Sequence, residues 1–215
     1  MLTPANTGRY ISIKADGKFH EKVSEGTDGA VLRDYELKDG TKGSKWELLY
    51  TAVEGYVTDV KFEDGDFGEN LLVTLKDGDQ EVIIAQGVST AFGEDFLKKL
   101  PGLDLTKKAQ FKPYAFEDDR GRVKNGVSIY QDNDKLASFF WDGEKNLHGF
   151  PTIDKKEDEE WSKDEWKAHF LRVRIFLTKY AKEHLVSKFA EGAEEIKRPT
   201  DEEEQRAIAE AIPFN

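Results

Sequence analysis

Cysteine is missing altogether from this chain of 215 residues, and methionine occurs once. That excludes disulfides, zinc–thiolate sites, thiol nucleophiles and cysteine-held iron–sulfur clusters, and it is compatible with a reducing cytoplasm. Histidine is scarce too. His20, His148, His169 and His184 are scattered, and none pairs with another at ligand spacing, so no histidine metal site is expected. No run approaches the ~18 consecutive apolar residues of a membrane span. The start, Met1-Leu2-Thr3-Pro4, lacks the positive flank and apolar stretch of a signal peptide, so a cytoplasmic protein without membrane contact is expected. Phosphate-cradling Gly-Lys-Ser/Thr loops and Gly-x-Ser-x-Gly elbows are absent. Asp64-Gly65-Asp66 lacks the other ligands of an EF-hand and reads as a solvated turn. The sequence therefore predicts no enzyme and no cofactor or metal. A nuclease whose carboxylates lie far apart in sequence is the one enzymatic class left open, with nothing local in its favour.

What is present is a polar but globular composition. Hydrophobic residues make up 38% and charged residues 35%, and 14 Phe, 7 Tyr and 4 Trp supply aromatic material for a core. The net charge is −11, which as a whole-molecule sum argues against a nucleic-acid binder. Binding depends on local lysine and arginine near the phosphates, however, and an acidic tail enters the sum without touching the ligand. The part before residue 151 is itself net acidic, so any basic groove has to be a local patch.

Element signals follow in order. Residues 10–23 predict a hairpin around Asp16-Gly17. A short strand is expected from Val31 to Leu37. Trp46 to Phe62 reads as one long strand broken in phase at Gly55, because glycine inside a strand marks a bulge or sharp coil. Strands follow at Leu71–Leu75 and Glu81–Ala85. A helix is expected over Ser89–Leu100, with Ser89 or Thr90 as cap, Phe92, Phe96, Leu97 and Leu100 as its apolar stripe, and Pro101-Gly102 as its stop. Two more strands, Lys108–Phe116 and Val123–Tyr130, come next, and 135–141 is read as an extension of the meander. A helix from Ser162 to about Phe189 opens on a Ser162/Glu165 capping box. Its apolar stripe is Trp166, Phe170, Val173, Leu177, Tyr180 and Leu185, and this face is expected to pack on the barrel or on a partner subunit. Three strands, a helix and two strands is the order of an OB-fold, β-β-β-α-β-β. The expected organisation is mainly β: an OB-fold barrel with an N-terminal hairpin over 1–150, a packed C-terminal helix over 151–190 and a flexible acidic tail over 191–215. A β-sandwich with an inserted helix is the competing fold.

Aromatic and basic residues interleave in the proposed barrel. Lys112, Tyr114 and Phe116 share one strand face by period-two alternation; the following loop carries Arg120, Arg122 and Lys124; the next strand brings Tyr130. Flat rings for bases and cations for phosphates are what a single strand of nucleic acid needs. The plain alternative places Tyr114 and Phe116 in the core and leaves the cations to solubilise a loop. Lys45, Trp46 and Tyr50 form a second candidate group, with Arg33, Tyr35 and Lys42 near it.

The C-terminal residues run from Asp201-Glu202-Glu203-Glu204 to Ile212-Pro213-Phe214-Asn215. This arrangement resembles the acidic, Ile-Pro-Phe-ended tail of bacterial single-stranded DNA-binding proteins, except that Asn215 follows the phenylalanine. With the strand–helix order, the chain resembles a phage-type single-stranded DNA-binding protein. The resemblance implies sequence-independent coating of single-stranded DNA in replication and recombination, without catalysis. It also implies that Ile212, Pro213 and Phe214 dock on replication or recombination proteins, with the acidic residues steering towards a basic pocket. A homo-oligomer is compatible with it. The alternative function is a non-catalytic interaction module, such as a virion β-domain that oligomerises through its long helix.

Overall fold

The computed structural model of the chain describes residues 8–36, 39–153 and 160–189. Among them, ten strands and two α-helices follow one another as β1 (Arg9–Ile13), β2 (Phe19–Val23), β3 (Val31–Glu36), β4 (Lys42–Tyr50), β5 (Val53–Gly65), β6 (Gly68–Asp77), β7 (Gln80–Gly87), α1 (Ala91–Lys99), β8 (Ala109–Glu117), β9 (Val123–Gln131), β10 (Asp134–Lys135) and α2 (Lys163–His184). The strands form one sheet in the order β10-β9-β8-β5-β6-β7-β1-β2-β4-β3. All the pairings are antiparallel except β1 with β7.

The expected first hairpin is present, with Ile13 opposite Phe19. Its turn needs a glycine: Gly17 has φ +69°, and a Cβ there would lie 2.3 Å from the backbone nitrogen of Ala115 on β8. The turn thus rests directly on the β8 backbone.

The run from Trp46 to Phe62 is two strands rather than one. The chain bends at Thr51-Ala52, ahead of Gly55, and the halves separate: β4 pairs with β2 and β3, and β5 with β6 and β8. Gly55 marks a different event. Residues 53–55 pair with β8 and residues from Tyr56 onward with β6, and a Cβ at Gly55 would approach the Lys76 carbonyl oxygen to 3.0 Å. The glycine lets the backbones come close where β5 passes from one neighbour to the other. A register shift between Val57 and Asp59 adds the coil that this passage requires.

The sheet does not close on itself. The free edge of β7 is occupied by β1, and the free edge of β9 by the short β10 and by side chains of α1. Pro113 on β8 stands opposite Val127 on β9 and has no N–H to give the ladder. Val127 turns its own polar groups the other way. Its N–H donates to Asp95 Oδ2 (2.7 Å) and its carbonyl accepts from Lys99 Nζ (2.6 Å), while Asp95 and Lys99 pair with each other at 2.7 Å. An intrahelical ion pair therefore occupies the place of a neighbouring strand's backbone.

Helix α1 has Thr90 as cap, its side chain accepting from Gly93 N, and buries Phe92, Phe96 and Leu97, with Leu100 just beyond. One core joins Ile11, Phe19, Val60, Ile84, Phe96, Phe111 and Ile129 with Val173, Leu177, Ala181 and Leu185. Helix α2 has the expected capping box but docks on a face rotated from the expected one. His169, Val173, Leu177 and Ala181 are buried, whereas Phe170 is half exposed and Tyr180 only partly buried. The small Ala181 lets the helix approach closely, and the large rings at its start, Trp161, Trp166 and Phe170, stack on one another instead. The meander extension over 135–141 is only the two residues of β10. Phe140 is buried beneath α2 against Phe176 and Tyr180, and Trp141 remains 47% exposed.

Candidate nucleic-acid interface

Alternation along β8 sends Ala109, Phe111 and Pro113 into the core and Gln110, Lys112, Tyr114 and Phe116 to the opposite side. The register with β9 places Tyr130, Ser128, Gly126 and Lys124 beside these four in turn. Lys112, Tyr114, Phe116 and Tyr130 therefore lie on one face of the hairpin, and Lys124, expected in the loop, joins them from β9.

The local geometry is specific. The Tyr114 ring lies across Gly126, where a Cβ would sit 2.6 Å from the phenol oxygen, and its hydroxyl pKa is raised by burial and by the nearby Asp95 carboxylate. Phe116 follows at 6.0 Å between ring centroids and is 56% exposed. Lys112 Nζ stands 5.2 Å from the centre of the Tyr130 ring. In the β8–β9 turn, Asp118 accepts from the N–H groups of Arg120 and Arg122, both at 3.0 Å, and from the Arg122 guanidinium at 2.7 and 2.9 Å. The Arg122 guanidinium first, and these backbone donors after it, hold the Asp118 carboxyl below its usual range. Arg122 is thus engaged in holding the turn. The side chains of Arg120 and Lys124 have no hydrogen-bond or ion-pair partner among the described residues, and both are exposed. An exposed ring and exposed cations meet at the Phe116 end of the face, with Lys124 opposite Phe116 and within electrostatic reach of Asp118.

The other end differs. Glu54, Gln110 and Tyr130 form a row across β5, β8 and β9, with Gln110 Nε2 donating to Glu54 at 2.9 Å. A cleft of about 360 Å³ opens there, also lined by Tyr56, Lys107, Lys108 and Asp132. Its cations are matched by carboxylates: Lys107 pairs with Asp132 and Lys108 with Asp77.

Lys45, Trp46 and Tyr50 do not join this face. They lie on β4, with Lys45 on one side and Trp46 and Tyr50 on the other. Tyr50 packs against the core, accepts from the Arg9 guanidinium and donates to Glu21 Oε2 at 2.7 Å, so it is a structural ring. Trp46 stands between Val23 and Leu32. Ile212, Pro213 and Phe214 lie outside the described residues.

Sequence reading missed a second cluster. Glu47 is only 2% exposed. Its carboxylate meets Lys45 Nζ and His20 Nδ1, each at 2.7 Å, and Arg33 Nη1 at 3.5 Å, while His20 Nε2 faces Asp16 at 3.0 Å. The alternation of 31–36 and 42–50 was readable, but the strand pairing that stacks them was not. Among the described residues, no three carboxylates or histidines gather as a metal site, and no helix is long and apolar enough to cross a membrane. No family model matches the chain, and neither a curated protein nor a solved structure matches it.

Proposed function

We propose that the chain binds single-stranded DNA without sequence preference, on the outer face of β8 and β9, and acts as a non-catalytic coating protein in replication and recombination. The observation that carries this reading is the face itself: Phe116 and Tyr114 as stacking rings, with Lys112, Lys124 and Arg120 as phosphate partners. Such stacking contributes roughly 1–3 kcal/mol per base and tolerates any base. The order β5-β6-β7-α1-β8-β9, with β5 paired to both β6 and β8, is in keeping with a partly open OB barrel. In this reading β1 and α1 take up the edges left open, and the Ile212-Pro213-Phe214 tail recruits replication or recombination proteins.

Fluorescence anisotropy of a labelled oligothymidine tests the proposal. The expected result is saturable binding at low salt that weakens steadily as salt rises. No anisotropy change at micromolar protein sinks it. Deleting 201–215 is expected to leave DNA binding intact or tighter while abolishing capture by partner proteins.

A second reading rests on a different set of exposed residues. Phe67, at the tip between β5 and β6, is 98% exposed, and Leu171 and Ile175 of α2 are 53% and 60% exposed. An oligomerising module would use this surface, and it predicts stable multimers with no DNA affinity.

A further inference from the structure

The extra strands sort their charges by side. On one face of β3 and β4 lie Arg33, Tyr35, Lys45 and Glu47; on the other lie Asp34, Glu36, Trp46 and Tyr50. The register extends the first face across β2, because Lys22 stands opposite Glu47, and Arg33 opposite Lys45. Lys14, at the end of β1, completes the group. Its pKa is lowered first by burial and then by Lys45 and Arg33, with Glu47 opposing, so its ammonium is within electrostatic reach of theirs. Four cations thus surround one buried carboxylate, in a protein whose net charge is −11. His20 lies between Asp16 and Glu47, with a ring nitrogen facing each carboxylate.

A ring accompanies the cations. Tyr35 lies flat on Gly43, where a Cβ would be 2.6 Å from its hydroxyl oxygen, and Lys45 Nζ is 6.0 Å from its ring centre. Tyr35 is 40% exposed. The arrangement repeats that of Tyr114 on Gly126: a tyrosine laid across a cross-strand glycine. The two places are joined by the β1–β2 turn, where Lys14 begins the loop and Gly17 backs onto the Tyr114–Ala115 peptide.

We infer that a bound single strand does not end at β8 but continues over the β1–β2 turn onto the β2–β4–β3 face, where Lys14, Lys22, Arg33 and Lys45 take phosphates and Tyr35 takes a base. This rests on the proposed function and enlarges its footprint. The occupant is a polyanion with flat groups along it, because the face offers surplus cations around a stacking ring.

The test compares the full chain with a Lys22→Gln/Arg33→Gln/Tyr35→Ala variant, using oligothymidines of about six and about twenty nucleotides. With the longer strand the variant is expected to lose about tenfold or more in affinity, one stacked base and two phosphate contacts being removed. Its log K against log salt plot should be shallower by about 1.4. With the shorter strand, held on β8–β9, affinity should not change. Equal affinity and slope with the longer strand overturns the inference, and so does an equal loss with both lengths. A Phe116→Ala/Lys124→Gln variant keeps the two readings apart. If it loses both strands while the triple variant loses neither, the proposed function stands and the extension falls; if the unaltered chain binds neither strand, both fall. Should the triple variant melt early by circular dichroism, the exposed Lys22→Glu replaces it, with the same length-dependent loss expected.

Discussion

Glu47 shows how much one residue can organise. Burial alone would raise its pKa, but hydrogen bonds from Lys45 and His20 outweigh burial and bring it down to about 2 from an ordinary 4.5. A carboxyl depressed in the folded state stabilises the fold at pH values above its unfolded pKa. That contribution is lost as pH falls from about 4.5 towards 2. The melting temperature of the intact chain should therefore drop across this window. Glu47→Gln should flatten that part of the curve and, at neutral pH, cost about 2 kcal/mol by taking from Lys45 and Arg33 the buried carboxylate they pair with. If the variant and the parent show the same acid limb in thermal melts at stepped pH, the cluster is not what responds. Gly126 is the comparable residue on the candidate interface. An alanine there would press on both Tyr114 and Asp95 at 2.6 Å, so Gly126→Ala should displace the ring, weaken DNA binding and destabilise the fold by about 1–3 kcal/mol.

Among the elements, α1 and α2 share one core with the open sheet. Asp95 accepts the Val127 N–H, which points away from β8, so Asp95→Ala strands a buried donor and the Lys99 ammonium together. A loss of about 2 kcal/mol is expected in urea melts, with Asp95→Asn keeping part of it because an acceptor remains. Leu177, fully buried where α2 meets the core, should cost about 3 kcal/mol on truncation to alanine. These elements were legible in sequence to the extent that their signals are local. Asp16-Gly17 announced a hairpin, Ser89-Thr90 and Ser162 announced caps, and Phe92, Phe96, Leu97 and Leu100 announced a buried stripe. Pairing was not legible, because it is decided by residues far apart in the chain. The bend at Thr51-Ala52 carries no glycine or proline, so Gly55 drew the break to itself although it serves the hand-over from β8 to β6. For the same reason the β8–β9 face could be assembled from two neighbouring strands, while the Arg33–Lys45–Glu47 cluster needed the pairing of β3, β4 and β2. The rotation of α2 escaped notice because Trp166 and Phe170 look more apolar than His169 and Ala181, and the sheet selects for fit as well as apolarity.

At the scale of the whole molecule, the proposed function sets a local cationic track on a chain of net charge −11, and the two would act on DNA over different ranges. The track works at contact, through release of counterions, and on its own gives a straight plot of log K against log salt. The net charge repels the strand from further away, and salt decides how far that repulsion reaches: about 10 Å at 0.1 M but about 30 Å at 0.01 M. Above roughly 0.1 M the repulsion is screened and contact dominates, so affinity should rise linearly as salt is lowered. Towards 0.01 M the repulsion spreads over the whole molecule and opposes that rise, so the plot should bend and flatten. A uniformly basic binder would keep climbing. Residues 201–215 carry five carboxylates against one arginine, and deleting them should lessen the bend without altering the slope at higher salt. Anisotropy titrations of one labelled oligothymidine across this range, with the full chain and the deletion, measure both quantities. A line that stays straight to the lowest salt in the full chain would mean that the acidic remainder of the molecule does not act on the strand, and that the track alone governs binding.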